Sequence, residues 1–195
     1  RLAKARARGD ERGVAARMRY AGLQRVQLIG SQHGHSDFAA RTDAELALVR
    51  AIRAAVGRVD IERVVSGIGL VHIAAHVHGA DHCAIAGRFA EREGVARVSQ
   101  AAAAGACADC AAVMALFVDA YGAEAGNLAL RAVATAGVYV GGGIAPKILP
   151  LLTERFMRPF LDKAPMTPLL AAMPVHVILN DRAALLGAAV AALDM

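Results

Sequence analysis

Apolar and polar positions alternate with two periods along this chain, and the switch between them marks out its elements. Leu46, Val49, Ile52, Arg53 and Val56 fall at helical spacing, and all but Arg53 are apolar. Thr42-Asp43-Ala44-Glu45 precedes them with the spacing of a capping box, and Gly57 follows, so a helix is predicted over 43–56. Upstream, Arg25–Ile29 reads as an extended segment leading into a polar turn over Gly30–Phe38. Downstream, Arg63–Val65 reads as a short strand, with Ser66-Gly67-Ile68-Gly69 turning into a helix that starts near Leu70. Gly79 to Gly94 suggests a hairpin or short helices. Residues 98–134 are helical in composition, and an unbroken helix of that length is unusual, so a bend or two helices are expected, interrupted near Gly122 and Gly126. The last third predicts a strand over Gly137–Val140, a helix after Pro146, a short helix over Arg155–Lys163, a strand over Val175–Leu179 and a closing helix over Arg182–Leu193. Strands alternating with helices imply an α/β layered domain with a mainly parallel sheet.

Composition changes this picture little. The chain has 195 residues, 56% of them hydrophobic, enough for one well-buried domain. Five Phe, three Tyr and no Trp argue against an aromatic platform for nucleic-acid bases. Charge is uneven: residues 1–19 hold seven basic and two acidic side chains, which accounts for the whole formal net charge of +5. The basic character therefore belongs to an arm, expected to be disordered, and residues 20–195 form the domain. The first residue is Arg, which suggests a chain cut short or read from an incomplete frame. There is no hydrophobic leader and no apolar run of membrane-spanning length, so no membrane partner is expected. Three cysteines form no disulfide framework, and the cytoplasm is the default compartment.

Five features are candidates for chemistry. Gly141-Gly142-Gly143, placed after a strand, removes every side chain where backbone could approach a nucleotide, although a plain tight turn explains it equally well. Gln32-His33-Gly34-His35-Ser36-Asp37-Phe38 concentrates groups able to bind hydroxyls, and also reads as a surface turn capped by Asp37. Glu62 is either a further polar ligand or the exposed start of a strand. His72, His76, His78 and His82 match no recognised zinc spacing, and no metal site is expected. Cys107-Ala108-Asp109-Cys110 lacks the preceding strand of a redox motif and reads as two thiols buried in a helix.

Five blocks in order make the chain resemble bacterial glucokinases from about Leu28 to Leu193. They are Gly34–Phe38, Glu62–Leu70, Gly126–Leu130, Ala136–Pro146 and Leu185-Leu186-Gly187. The resemblance implies an α/β fold of the actin-like ATPase (ribonuclease H-like) type, incomplete and with additional helices. It also implies transfer of a phosphoryl group from ATP, with Mg2+, to the 6-hydroxyl of D-glucose in glycolysis. His35 and Glu62 match two residues that hold glucose in that family. Gln32 stands where the family has a sugar-binding Glu, and His33 where it has Gly. Gly141, Gly142, Gly143 and Ile144 resemble the segment on which the adenosine of ATP lies, with Gly126 and Asn127 packed near it. Ile68 replaces the family's Pro in the Ser-Gly-Pro-Gly turn.

The family's Asp-containing phosphate loop, its Asn-Asp pair with the catalytic base, and a second Gly-Thr-Gly turn have no counterpart in these 195 residues. The expectation is therefore a large sugar-binding lobe that is inactive alone, with no catalytic residue of its own. A lost lobe would leave an apolar interface favouring aggregation or dimerisation. The alternative is a non-catalytic sugar-binding or regulatory domain of the same descent. A basic arm without a helix-turn-helix pattern gives that alternative no DNA-reading element, and a nucleic-acid partner is not expected.

Overall fold

A computed structural model describes residues 3–4, 33–152 and 154–193. The expected extended segment 25–29, Gln32 and residues 1–2 and 5–19 of the basic arm lie outside the described residues. Ala3–Lys4, within the arm, forms a strand, β1.

Helix α1 spans Asp43–Val56 as predicted, with the Thr42 hydroxyl accepting from Glu45 N–H at its start and Gly57 at φ 83° at its end. The capping box is displaced by one residue. The Glu45 carboxylate takes the N–H of Arg41 (2.6 Å) rather than that of Thr42. The strand expected over Arg63–Val65 is absent. Asp60 caps a 3-10 turn over Ile61–Arg63, accepting from Arg63 N–H at 3.0 Å. The N–H groups of Val64 and Val65 both turn back to the Ile61 carbonyl. A local side-chain bond thus outweighs the strand preference of two valines. Helix α2 (Gly67–His78) starts three residues earlier than expected because Ser66 caps it, accepting from Gly69 N–H at 3.0 Å. It stops at Gly79, φ 63°. The strands β2 (His82–Cys83) and β3 (Gly87–Arg88) then pair antiparallel, so of the hairpin or short helices expected between Gly79 and Gly94 the hairpin forms.

Helix α3 covers Gly94–Ala103 and α4 covers Ala108–Ala132, meeting at a 103° bend. The break lies at residues 104–107, with Gly105 at φ 64°, and not at Gly122 or Gly126 as expected. Those two glycines sit inside a continuous helix because α5 (Glu154–Leu161) lies directly on it. A Cβ at Gly122 would stand 2.2 Å from the Phe156 carbonyl oxygen, and one at Gly126 would stand 2.6 Å from that of Phe160. Here Gly is required by close approach of two backbones, and helix geometry survives it.

Strand β4 (Val138–Val140), the short helix α6 (Thr167–Ala171), strand β5 (Val175–Val177) and α7 (Ala183–Leu193) complete the chain. The helix expected after Pro146 is only a 3-10 turn over Leu149–Leu151. The sheet is parallel, in the order β1-β5-β4, with Tyr139 opposite His176 and Ala3 opposite His176 on its other side. The core is organised on α4, where Val113, Met114, Phe117 and Val118 are buried against neighbouring helices, among them Phe156 and Phe160 of α5. Among the described residues no single helix is long and apolar enough to cross a membrane; α3 and α4 pass that test only as a bent pair.

Candidate functional site

The polar loop after residue 32 is built by pairing with the segment that follows α1. His33–His35 forms a 3-10 turn. Ile61 N–H then donates to the Ser36 carbonyl (2.9 Å), Phe38 N–H donates to that of Val59 (3.2 Å), and Asp37 and Asp60 form an antiparallel bridge. This bridge seats the loop beside Glu62. A Cβ on Gly34 would lie 3.4 Å from the Glu62 carboxylate oxygen. Two residues 28 positions apart are therefore neighbours.

Each histidine of the loop is held by a carboxylate. His35 Nδ1 stands 3.3 Å from Asp60 Oδ2, while most of its ring remains exposed. Burial works to raise the Asp60 pKa, but the hydrogen bonds from His35 and from Arg63 N–H, with their charges, outweigh it and hold the carboxyl below its ordinary value. The stability this gives is present above the unfolded pKa and is lost as pH falls through the lower folded one. The stability difference between Asp60→Asn and the parent chain should therefore shrink as pH falls from about 5 to about 3, as read by urea unfolding at each pH. Asn still caps the turn, so only the charge is removed.

His33 reaches across to α4. Its Nε2 pairs with the Glu124 carboxylate, its Nδ1 lies 2.6 Å from Arg131 Nη1, and Asn127 Nδ2 donates to the other Glu124 oxygen at 2.9 Å. Arg58 anchors the loop's outer edge through Asp37 (2.8 Å) and the His35 carbonyl (2.6 Å). Sequence reasoning missed Asp60, Arg58, Glu124 and Arg131. One signal was available for Glu124, an acidic residue within the run Ala120–Ala132 of mostly small and apolar side chains.

The glycine run lies elsewhere, at the carboxyl end of β4. Ile178 N–H donates to the Val140 carbonyl, and a Cβ on Gly141 would meet Ile178 at 3.4 Å. Gly142, at φ 93°, and Gly143 face open space. Ile144 is half-buried and its carbonyl accepts from Lys147 and Ile148, closing a turn. Helix α4 connects the two regions, since Glu124 and Asn127 serve the loop and the same helix packs on β4. Gly126 itself packs on α5.

A family model described as glucokinase matches residues 13–195. The chain belongs to the glucokinase family. It is 39% identical over 184 residues to a glucokinase of Nostoc sp., covering 85% of this chain and 54% of the relative. It is 40% identical over 197 residues to one of Synechocystis sp., covering 88% and 53%. The crystal structure of a glucokinase from an Antarctic psychrotroph superposes with a TM-score of 0.74 at 31% identity, covering 89% of this chain and 52% of that one. The mixed helix-and-strand fold is thus that of a solved glucokinase, and the chain spans about half the length of the curated relatives it matches.

The remaining polar candidates of this glucokinase-family chain serve other purposes. His72 Nδ1 bonds the Arg63 carbonyl (2.9 Å). Of the two thiols expected to be buried in a helix, Cys110 is buried in α4 but Cys107 is its half-buried N-cap. Burial among neighbouring thiols pushes Cys110 up to about 12, whereas the backbone N–H of Ala86 holds Cys83 below the usual thiol value.

Proposed function

We propose that this chain supplies the sugar-holding side and the adenosine-facing side of a glucokinase of the actin-like ATPase fold. The reaction is phosphoryl transfer from ATP to the 6-hydroxyl of D-glucose. The seating of Gly34 against the Glu62 carboxylate, with His35 fixed beside it by Asp60, carries this reading.

The geometry suits a hexose. An ionised Asp60 favours a proton on His35 Nδ1, which leaves Nε2 as an acceptor toward a sugar hydroxyl. Glu62, exposed in the same corner, accepts from neighbouring hydroxyls, and Gly34 keeps the space between them free of a side chain. Gln32, outside the described residues, would add an uncharged donor and acceptor in place of the family's Glu. The loop is tied through His33 to Glu124 in a core helix, so the ligands are preorganised.

ATP supplies the phosphoryl group together with its Mg2+, for which no residue of this chain is assigned. Gly141, Gly142, Gly143 and Ile144 fit the adenosine side. The open space over Gly142 and Gly143 lets a flat ring approach the backbone, and these residues sit at the carboxyl end of a parallel strand. The phosphate-holding loops and the group that accepts the hydroxyl proton are assigned to the part of the family fold that these 195 residues do not span. In-line transfer requires both.

Calorimetric titration of the purified chain with glucose, with galactose as control, tests the sugar site. Saturable, glucose-selective heat is expected. His35→Ala or Glu62→Ala should abolish it while circular dichroism stays unchanged. Asp60→Asn should weaken it by about 1 kcal/mol, the worth of one ordinary hydrogen bond. A folded, monodisperse sample that gives no heat with glucose overturns the proposal.

A further inference from the structure

Four soft-ligand side chains from three separate elements converge at the far ends of α2 and α4. His78 closes α2, Cys83 lies in the β2–β3 hairpin, and Cys107 and Cys110 open α4. One ligand atom from each lies within 4.8 Å of every other. Cys83 Sγ is 3.8 Å from Cys107 Sγ and 3.9 Å from Cys110 Sγ, and Cys110 Sγ is 3.7 Å from His78 Nε2. Ligands placed tetrahedrally about a zinc ion, with Zn–S of ~2.3 Å and Zn–N of ~2.0 Å, stand roughly 3.5–3.8 Å apart. We propose that His78, Cys83, Cys107 and Cys110 form a structural Cys3His zinc site.

The surroundings match that chemistry. The other ring nitrogen of His78, Nδ1, lies 3.7 Å from Asp109 Oδ2. A carboxylate behind the imidazole is how metal-ligating histidines are oriented. Backbone N–H groups approach two of the sulfurs, Ile85 N–H at Cys83 and Cys110 N–H at Cys107, each at 3.4 Å. Both Cys107 and Cys110 lie at the start of a 25-residue helix, whose positive end stabilises the negative charge that metal-bound sulfurs carry. Four protein ligands leave no open position, so the site is closed and joins α2, the hairpin and α4 without chemistry of its own. Spacing along the sequence hides it: His78 and Cys83 flank a glycine turn, and the pair at 107 and 110 follows a whole helix later.

The test uses the full chain, prepared anaerobically under a phosphine reductant, with cobalt(II) as the optical probe and zinc as its competitor. Cobalt should saturate at about one equivalent with the visible absorption of a tetrahedral thiolate complex, and zinc should displace it. Cys107→Ser keeps a good helix cap and should therefore fold, yet should weaken binding by more than ~100-fold. His78→Cys should retain one equivalent with a shifted spectrum. Asp109→Asn should keep the stoichiometry and weaken binding by about 10- to 100-fold. A folded chain that takes up no tetrahedral cobalt overturns the site, as does uptake unchanged in Cys107→Ser.

Discussion

Gly122→Ala lowers the stability of this domain by about 2–3 kcal/mol, even though the same change in an open helix is stabilising. The added methyl would stand 2.2 Å from the Phe156 carbonyl oxygen, 3.0 Å from the adjoining carbon and 3.0 Å from Pro159 Cγ. The nearest of these is backbone of α5, so no rotamer change relieves the overlap and the two helices must separate. Helix preference pulls the other way by only about 0.5–1 kcal/mol. Gly187→Ala is the control, because a Cβ there meets nothing within 4 Å and the site is exposed on α7. It should stabilise or leave stability unchanged. Urea midpoints of the two variants check the pair, and a stabilised Gly122→Ala would show that α4 and α5 do not approach as described.

Glu45→Ala carries a comparable loss, about 3 kcal/mol. Its carboxylate is almost fully buried and joins the Arg41 guanidinium (2.5 Å) to the Arg41 N–H (2.6 Å) at the entry to α1. Among the described residues, removing it leaves the mostly buried guanidinium with one bond, to the Asp119 carbonyl at 3.3 Å. The greater part of the cost is that stranded charge. The double variant Arg41→Ala/Glu45→Ala should therefore be more stable than Glu45→Ala alone. Urea unfolding of the cycle measures the difference, and additive losses would refute the coupling.

These two sites also show where sequence reasoning stops. The capping pattern at 42–45 predicted the limits of α1, because Thr42 bonds a residue three positions away and Gly57 acts through its own backbone. Whether Glu45 would face solvent or be buried on Arg41 depended on what packs above it, and no local pattern states that. The same division separates the loop from its supports. Gly34, His35 and Glu62 stood out by type and order, whereas Asp60, Glu124 and Arg131 became partners only when α4 and the Asp60 turn were brought to the loop.

Most of the helices and short strands, and membership of the family, were determined by the sequence alone. Caps, turns and apolar period act over three or four residues, and the order of short motifs survives without coordinates. The tertiary structure decided the rest. It turned two glycines that looked like helix breaks into a helix–helix contact. It replaced a valine strand with a capped turn, and it gathered His78, Cys83, Cys107 and Cys110 from three elements into one cluster. Each of these depends on backbones or side chains distant in sequence meeting at a few ångströms, and that distance is fixed only by packing of the whole chain.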